Sequence, residues 1–361
     1  MRSMRPSKVV FLALWLATAC TRPKEPPLEL NWPEARDAIR SVVLERAQRG
    51  ELARADGWVY TVDVAQLLDA AARMGDEELY STLHPIATRA LVEWQHAAYV
   101  RGFVAWRTKE GSPADASGTT EALRLAQALW RGANVFARPQ DRTAALEIVK
   151  GYRRHGYVDQ GVWLIRNYYN LETNAFATNS FLVDYDPDFL REVAGEEQDY
   201  SELADQVDRL VQAALTPLGF VHELVQPEIL TAMPLMGSAV YSPNNKAQLS
   251  NSCAVLERSM RIARGHGEKL LRFANERSEG LGLIFDVETG ERHTDSYGGV
   301  ETYGCLTRLG HRLELAELTL PFEPKLAWFV QDFVENEKQP LAFMASELLL
   351  TAAVVLGKGA T

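Results

Sequence analysis

The sequence of 361 residues has few of the features that mark metal or nucleic-acid proteins. It contains only three cysteines, and their spacing fits no zinc site. It has no basic patch, and its 48 acidic residues outnumber the 38 lysines and arginines, so nucleic acid is a poor candidate for a partner. No segment repeats at a fixed period, which argues against a helical-repeat solenoid, and strand signals are rare. We expect neither a metal ion nor a cofactor.

The first 19 residues have the pattern of a signal peptide. Arg2, Arg5 and Lys8 precede the uninterrupted apolar run VVFLALWLA at 9–17, and small residues then lead to Cys20. This apolar run is shorter than the about 20 residues that a membrane-spanning helix needs. The segment ATAC resembles a bacterial lipobox, which implies cleavage before Cys20 and a lipid on its thiol. An ordinary signal peptide that ends near a cysteine is the alternative.

The residues after the signal predict a tethered single domain in the cell envelope. Residues 20–33, CTRPKEPPLELNWP, are rich in proline and charge, as a tether should be, and residues 34–361 form the domain. Thr21, rather than an aspartate, follows the cysteine, which points to the outer membrane. In that oxidising compartment Cys253 and Cys305 form either one disulfide or two buried free thiols.

Most of the chain shows apolar residues at helical spacing. The predicted helices are 34–49, 58–74, 77–95, 119–135, 139–154, 178–194, 199–215, 247–264, 267–278, 299–316, 323–336 and 340–356. About twelve helices joined by alternating short and long links are what an (α/α)6 toroid needs. We therefore predict an all-α toroid with a minor β-hairpin over 281–294, where ETG forms the turn. An irregular helical domain is the alternative.

Helix ends are predicted from capping residues. The expected N-caps are Asp76, Asp199, Ser250 and, for the helix from 119, Ser117 or Asp115. The expected glycine stops are Gly50, Gly75 and Gly265.

Acidic and aromatic residues gather in the links near three predicted helix starts. The acids are Asp56, Asp115, Glu121, Asp184 and Asp186. The aromatic residues beside them are Trp58, Tyr60, Trp106, Tyr168 and Tyr185. Sugar rings stack on aromatic side chains, and cleavage of a glycosidic bond needs two carboxyl groups. The alternatives are ordinary ones: acids at helix starts stabilise the helix by about 0.3–1 kcal/mol, and aromatic residues fill cores.

Three segments resemble motifs of glycoside hydrolase family 8, which includes bacterial cellulases. ADGWVYTVDVAQLL is similar to the family's S-E-G-x-x-Y-G-M motif, which carries its general acid. ADASGTTEALRLAQALW resembles the segment A-[ST]-D-x-D, and NSFLVDYDPDFLREVA is similar to N-x-S-Y-x-x-P. They occur in the family's order over residues 50–195. The resemblance implies an (α/α)6 toroid, a sugar-binding cleft and inverting hydrolysis of a β-1,4-glucan or related polymer.

The resemblance also assigns roles to the acids. The family's catalytic glutamate falls on Asp56, which is one methylene shorter and would need a raised pKa to act as the general acid. Asp115 would stay ionised, with Glu121 standing in for a second aspartate that this chain lacks. Asp184 or Asp186 would activate water.

The sequence thus predicts an exported, lipid-anchored glycoside hydrolase-like protein that acts on an extracellular or periplasmic polysaccharide. Its expected partners are that polysaccharide and, through Cys20, the membrane. A catalytically degenerate glycan-binding lipoprotein is one alternative, and a helical scaffold of an envelope polysaccharide complex is another.

Overall fold

The computed structural model describes residues 30–91, 100–110, 112, 114–159, 161–196, 199–223, 245–293, 295–336 and 341–357. The helices within these ranges are α1 Trp32–Arg49, α2 Thr61–Met74, α3 Glu77–Ala87, α4 Thr119–Phe136, α5 Pro139–Arg154, α6 Pro187–Val193, α7 Asp199–Ala214, α8 Leu249–Glu257, α9 Met260–Asn275, α10 Val300–Arg312, α11 Glu323–Glu335 and α12 Leu341–Leu356.

The helices form two concentric rings. In the inner ring α12 contacts α2, α2 contacts α4, α8 contacts α10, and α10 contacts α12. A 3-10 turn, Leu182–Asp184, lies just before α6 and contacts both α4 and α8. It thereby closes the gap in the inner ring between these two helices. The odd-numbered helices pack around the outside. The predicted all-α (α/α)6 toroid is confirmed.

Inner and outer helices differ in how they are buried. The outer helix α1 buries one stripe at three- to four-residue spacing, namely Trp32, Ala35, Ile39, Val43 and Ala47. The inner helix α2 is buried nearly all round, including the polar residues Asp63, Gln66 and Asp69. These three recur on one face, so the interior of the ring is polar. Buried polar groups of this kind must be hydrogen-bonded or paired.

Charged side chains connect neighbouring inner helices deep in the ring. Arg308 on α10 lies 3.0 Å from Glu257, the last residue of α8, and 2.9 Å from Glu347 on α12. Glu347 in turn accepts a hydrogen bond of 2.9 Å from Gln66 Nε2 on α2. We call Glu257, Arg308 and Glu347 the inner ion network.

Short strands occupy the links between helices. They are β1 Val59–Tyr60, β2 Arg107–Thr108, β3 Ala116–Gly118, β4 Gly156–Asp159, β5 Val162–Ile165, β6 Tyr168–Asn170, β7 Ala175–Phe176, β8 Lys246–Gln248 and β9 Ile284–Asp286. β1 pairs with β2, β4 with β5, and β6 lies between β3 and β7. The pairings of β3 to β7 were not predicted, because the aromatic-rich stretch 155–177 reads as an irregular link.

The predicted hairpin over 281–294 is partly right. The ETG turn is present, since the Gly290 N–H donates to the Asp286 carbonyl over 2.9 Å and Phe285 bridges Arg292. The main partner of β9, however, is β8 from a distant part of the chain.

Some predicted helix ends are confirmed. Asp76 caps α3 by accepting a hydrogen bond of 3.1 Å from the Leu79 N–H. Gly50 and Gly75 end α1 and α2 with φ of 75° and 68°, in the left-handed region that glycine favours. Asp199 begins α7, but its side chain lies outside the described residues.

Other predicted ends are wrong. Ser250 lies inside α8, and Gly265 lies inside α9. The helical segment is interrupted at 258–259 instead, between these two helices. The helix predicted over 178–194 is limited to α6, which starts at Pro187 and is preceded by the 3-10 turn. Proline favours the first position of a helix and disfavours helical backbone in the residue before it.

The described residues also answer two questions about membrane-spanning helices and cysteines. Among the described residues no helix is both long and apolar enough to cross a membrane. Cys20, with the signal peptide, lies outside the described residues, as does most of the tether. Cys253 and Cys305 are buried free thiols, so of the two alternatives for this pair the structure has the second.

Candidate functional site

Several inner helices begin at the same end of the ring. Val62 of α2, Thr120 of α4 and Asn251 of α8 all belong to first turns and line one cavity. We call this end of the toroid the mouth. The links that precede α2, α4 and α8 therefore surround it.

At the edge of the mouth β1 and β2 bring together the rim cluster, which comprises Asp56, Trp58, Tyr60, Trp106, Arg107 and Asp115. The register places Tyr60 opposite Arg107. Asp56 accepts a hydrogen bond of 2.8 Å from the Tyr60 hydroxyl. Asp115 accepts one of 2.6 Å from Trp106 Nε1. Of the predicted site residues, the structure brings Asp56, Trp58, Tyr60, Trp106 and Asp115 together here.

Arg107 holds the rim cluster together. Its guanidinium lies 3.0 Å from the Asp115 carboxylate and 3.8 Å from that of Asp56. The guanidinium carbon is 4.3 Å from the ring centroid of Trp58 and 4.3 Å from that of Trp106. Both rim acids therefore share one cation between two indole faces. The sequence analysis missed Arg107, because the pairing of β1 with β2 that brings it to Asp56 is a long-range contact.

The electrostatics of Asp56 differ from the sequence prediction. Partial burial acts to raise the pKa of Asp56, but hydrogen bonds from Tyr60 and from the Trp58 N–H, together with the charge of Arg107, outweigh it and lower the pKa. The expectation of a raised pKa is wrong. A carboxyl with a lowered pKa is ionised near neutral pH and is poorly suited to donate a proton.

The predicted cap of α4 is also wrong. The residue before α4 is Gly118, which makes no side-chain cap. Asp115 Oδ1 accepts instead from the Ala116 N–H over 3.0 Å, and the Ser117 hydroxyl lies 3.4 Å from His155 Nε2. Neither side chain caps α4, because 116–118 is extended as β3 and paired with β6.

Below the rim lies a cavity of about 320 Å³. Three carboxylic side chains line it: Glu121 of α4, Asp184 of the 3-10 turn and Glu223 from the link before β8. No lysine or arginine is among its lining residues, and the neighbouring His222 has a pKa lowered by burial. Within the part of the chain that the structure describes, no lysine or arginine pairs with the cavity acids as Arg107 pairs with the rim acids.

Asp184 is buried and only half satisfied. Its Oδ1 accepts a hydrogen bond of 2.6 Å from the Thr120 hydroxyl. Its Oδ2 is buried and accepts no hydrogen bond from any described residue. Burial raises the pKa of Asp184 to about 7, against the effect of the Thr120 hydrogen bond, and the charge of Glu121 adds to the rise.

Glu121 meets Asp184 from the first turn of α4. Burial raises the pKa of Glu121 to about 7, and the charge of Asp63 contributes to the rise while Arg54 opposes it. A Cβ added to Gly118 would overlap the Glu121 carboxylate. The Glu121 carboxyl group therefore occupies space that is open only because residue 118 has no side chain.

Glu223 is the carboxylic residue of this cavity that the sequence analysis missed. Its Oε1 accepts hydrogen bonds from the Gln248 N–H over 2.7 Å and from Asn251 Nδ2 over 3.0 Å. Its pKa is raised by burial, which outweighs these two hydrogen bonds. The search for acids near helix starts could not find Glu223, because it lies in a link and its contacts with β8, α8 and the 3-10 turn are all long-range.

Two predicted site residues belong to the protein interior instead. Asp186 is 2% exposed and caps α6 by accepting from the Phe189 N–H over 2.9 Å. Tyr185 is 1% exposed, and its hydroxyl accepts from the Ile165 N–H over 2.8 Å. Neither lines the cavity, so the predictions of Asp186 as a base and of Tyr185 as a sugar-binding residue are corrected. Tyr168 is exposed on β6, opposite Gly118.

Within the described ranges no cluster of three or more His, Cys, Asp or Glu side chains could hold a metal ion.

Comparison with known proteins identifies the architecture. No protein-family model and no curated protein matches the sequence. An α-amylase from Clostridium perfringens superimposes with a TM-score of 0.65 and 13% identity, over 82% of this chain and 86% of that one. The endo-β-1,4-glucanase CMCax from Acetobacter xylinum gives 0.63 and 16%, over 89% and 99%.

The chain has the toroid fold of these enzymes. A glycoside hydrolase family 8 xylanase from Teredinibacter turnerae, a catalytic mutant in complex with xylohexaose, gives a TM-score of 0.59 and 11% identity, over 91% of this chain and 95% of that one. The three neighbours act on different polysaccharides, so the shared fold does not specify the sugar. The resemblance to family 8 in fold is confirmed.

Proposed function

We propose that the protein is an exported glycoside hydrolase-like enzyme that cleaves a glycosidic bond in an extracellular or periplasmic polysaccharide. The observation that carries this proposal is the cavity at the mouth, where Glu121 and Asp184 have pKa values of about 7 below a rim of indole rings.

The chemistry of hydrolysis fits the cavity acids better than the rim acids. Glycosidic cleavage needs a carboxyl group that is still protonated near neutral pH and can donate its proton to the departing oxygen. Glu121 and Asp184 meet this requirement because burial without a counter-ion disfavours their ionised forms. Asp56 and Asp115 instead suit the binding of sugar hydroxyls as acceptors.

The dimensions of the site agree with a polymeric substrate. The cavity of about 320 Å³ lies at the lower end of the range of small-molecule sites, which is about 300–1,000 Å³. One sugar unit would occupy the cavity. Neighbouring units would lie across the rim, where Trp58, Trp106 and the exposed Tyr168 offer rings for stacking.

A panel of β-glucans, xylans, α-glucans and amino-sugar polymers tests the proposal. Wild type should release reducing ends from at least one polymer, and Glu121→Gln should lower the rate by about 10²–10⁴-fold, the usual contribution of a general acid. Asp56→Asn should retain most of the rate. A wild-type protein that releases no product, or an Asp56→Asn variant as impaired as Glu121→Gln, would contradict the assignment.

A non-catalytic glycan-binding protein is the second candidate. The observation that favours it is Arg107, which neutralises both Asp56 and Asp115 and leaves the position that resembles the family's general acid without its proton. On the same panel this candidate predicts binding without product release, and loss of binding in Trp106→Ala.

We also propose that the protein is anchored to the cell envelope, in the outer membrane, through a lipid on Cys20. The support is the sequence of residues 1–20. Cys20→Ser should accumulate as an unprocessed or untethered precursor. If that variant is cleaved normally and still fractionates with membranes, the anchor is not at this residue.

A further inference from the structure

Glu223 is fixed beside Asp184 by its backbone. The Leu182 N–H, in the 3-10 turn that carries Asp184, donates to the Glu223 carbonyl over 2.8 Å. Nearby, Val221 forms an isolated antiparallel β-bridge with Leu215. The Val221 N–H also donates to the Ser252 hydroxyl oxygen over 3.1 Å. The position of Glu223 in the cavity is therefore set by the same turn that positions Asp184.

The two carboxylate oxygens of Glu223 have different surroundings. Oε1 receives the Gln248 N–H and the Asn251 amide, at 2.7 and 3.0 Å. Oε2 is buried and receives no hydrogen bond from the described residues. Two donors on one oxygen orient the group and favour its ionised form, against the burial that raises its pKa. The other oxygen remains free to accept a proton.

Hydrolysis requires a proton acceptor as well as a proton donor. Glu121 and Asp184 approach the cavity from α4 and the 3-10 turn, whereas Glu223 is held from the side of β8 and α8. Asp186, the other base candidate from the sequence, caps α6 and is not available.

We propose that Glu223 is the base that activates the attacking water. This inference rests on the proposed hydrolysis. A water O–H proton passes to Oε2 as the water oxygen bonds to the anomeric carbon. The C–O bond to the leaving group breaks in the same step, and the leaving oxygen takes the proton of the acid. Asn251 is a positioning residue, since it holds Oε1.

Glycosyl fluorides separate the base from the acid. Fluoride leaves without protonation, so β-cellobiosyl, β-xylobiosyl and α-maltosyl fluorides require the base alone. Glu223→Gln should lower hydrolysis of both polymer and fluoride by about 10²–10⁴-fold. Glu121→Gln should lower only polymer hydrolysis.

Azide, an anionic nucleophile that needs no deprotonation, should restore turnover of Glu223→Gln with formation of a glycosyl azide. Glu202→Gln, on the exposed face of α7, is the matched control.

A second variant distinguishes catalysis from structural support. Asn251→Ala removes one donor from Oε1, so the acidic limb of the pH–rate profile should move to higher pH while KM changes little. Glu223→Gln that hydrolyses fluoride at the wild-type rate overturns the assignment of the base and leaves the proposed function standing. Wild type that cleaves neither polymers nor fluorides overturns both.

Discussion

Carboxyl groups at the mouth and in the inner ion network differ in one respect, the presence of a directly paired arginine. Burial acts to raise the pKa of Glu257, but Arg308 at 3.0 Å and other arginines lower it to about 2. Glu121, which is partly buried, and Asp184, which is buried, are not paired with an arginine among the described residues, and their pKa values rise to about 7. The same residue types are thus fixed charges in one region and titrate near neutral pH in the other. The presence or absence of a paired arginine, rather than burial alone, thus distinguishes structural carboxyl groups from candidate catalytic ones.

The largest expected effect is on the inner ion network. Arg308→Met leaves Glu257 and Glu347 buried without their cation, so we expect the free energy of unfolding at pH 7 to fall by about 3–5 kcal/mol. The stabilisation from Glu257 is present above its unfolded pKa and is lost as the pH falls toward about 2. The loss in the variant should therefore shrink in acid.

Urea unfolding at pH 7 and pH 4 measures this effect. Arg49→Met is the control, since Arg49 pairs with Glu45 on the exposed face of α1 and such pairs contribute about 0–1 kcal/mol. If the free energy of unfolding falls equally in Arg308→Met and Arg49→Met, the inner ion network contributes no more to stability than a surface ion pair.

A second change disturbs the mouth without altering any charge. In Gly118→Ala the new methyl group overlaps the Glu121 carboxylate, which must swing away. A displacement of about 1 Å lowers rates by about 100-fold, so kcat/KM on a cleaved polymer should fall by that factor while the melting temperature stays close to wild type. Gly195→Ala, where nothing lies within 4 Å of the added carbon, is the control. Wild-type activity in Gly118→Ala would show that the position of Glu121 is unimportant.

A third prediction concerns the cost of keeping carboxyl groups without counter-ions. Glu121 and Asp184 hold their protons up to about pH 7 in the folded protein, whereas in the unfolded chain they lose them near pH 4. The folded state thus binds more protons between these values, and stability falls as the pH rises through that window.

Neutral side chains should remove this pH dependence. Glu121→Gln and Asp184→Asn should each gain stability at pH 8, on the order of 2 kcal/mol, relative to pH 4. Thermal unfolding across this range measures the gain. Asp56→Asn should show none, because the pKa of Asp56 is lowered rather than raised. If the difference in stability between Glu121→Gln and wild type does not change with pH, the Glu121 carboxyl group is solvated and its pKa is not raised.

The smallest effect is expected at the rim. Arg107→Gln removes the cation shared by Asp56 and Asp115, so the pKa of Asp56 should rise. NMR titration of the carboxyl carbons measures this shift. Stability should change by less than about 1 kcal/mol, because the rim is solvated. Arg107→Lys retains the charge and should leave the pKa of Asp56 low. An unchanged pKa in Arg107→Gln would mean that the hydrogen bonds from Tyr60 and Trp58 suffice.

The sequence predicted the helices well where periodicity was strong and the links poorly. α5 is predicted to the residue at 139–154, because its apolar spacing and its proline at the first position agree. The partners of Asp56 were found through the motif, but Arg107 was not, since pairing of β1 with β2 is a long-range contact. Glu121 was named only as a substitute, and Glu223 was missed. Whether a carboxyl group has a counter-ion depends on how distant segments pack, which spacing along the chain does not reveal.

Closure of the inner ring also sets the order in which the molecule can fold. The hydrogen bond between Gln66 of α2 and Glu347 of α12 joins residues 281 positions apart, and α12 contacts α1, α2 and α10. The first inner helix therefore keeps an open side until the last one packs against it. Contacts at such separation carry a loop-closure entropy cost and slow folding. The ring is a structure that the chain completes only after synthesis of α12, and until then the polar face of α2 remains in water.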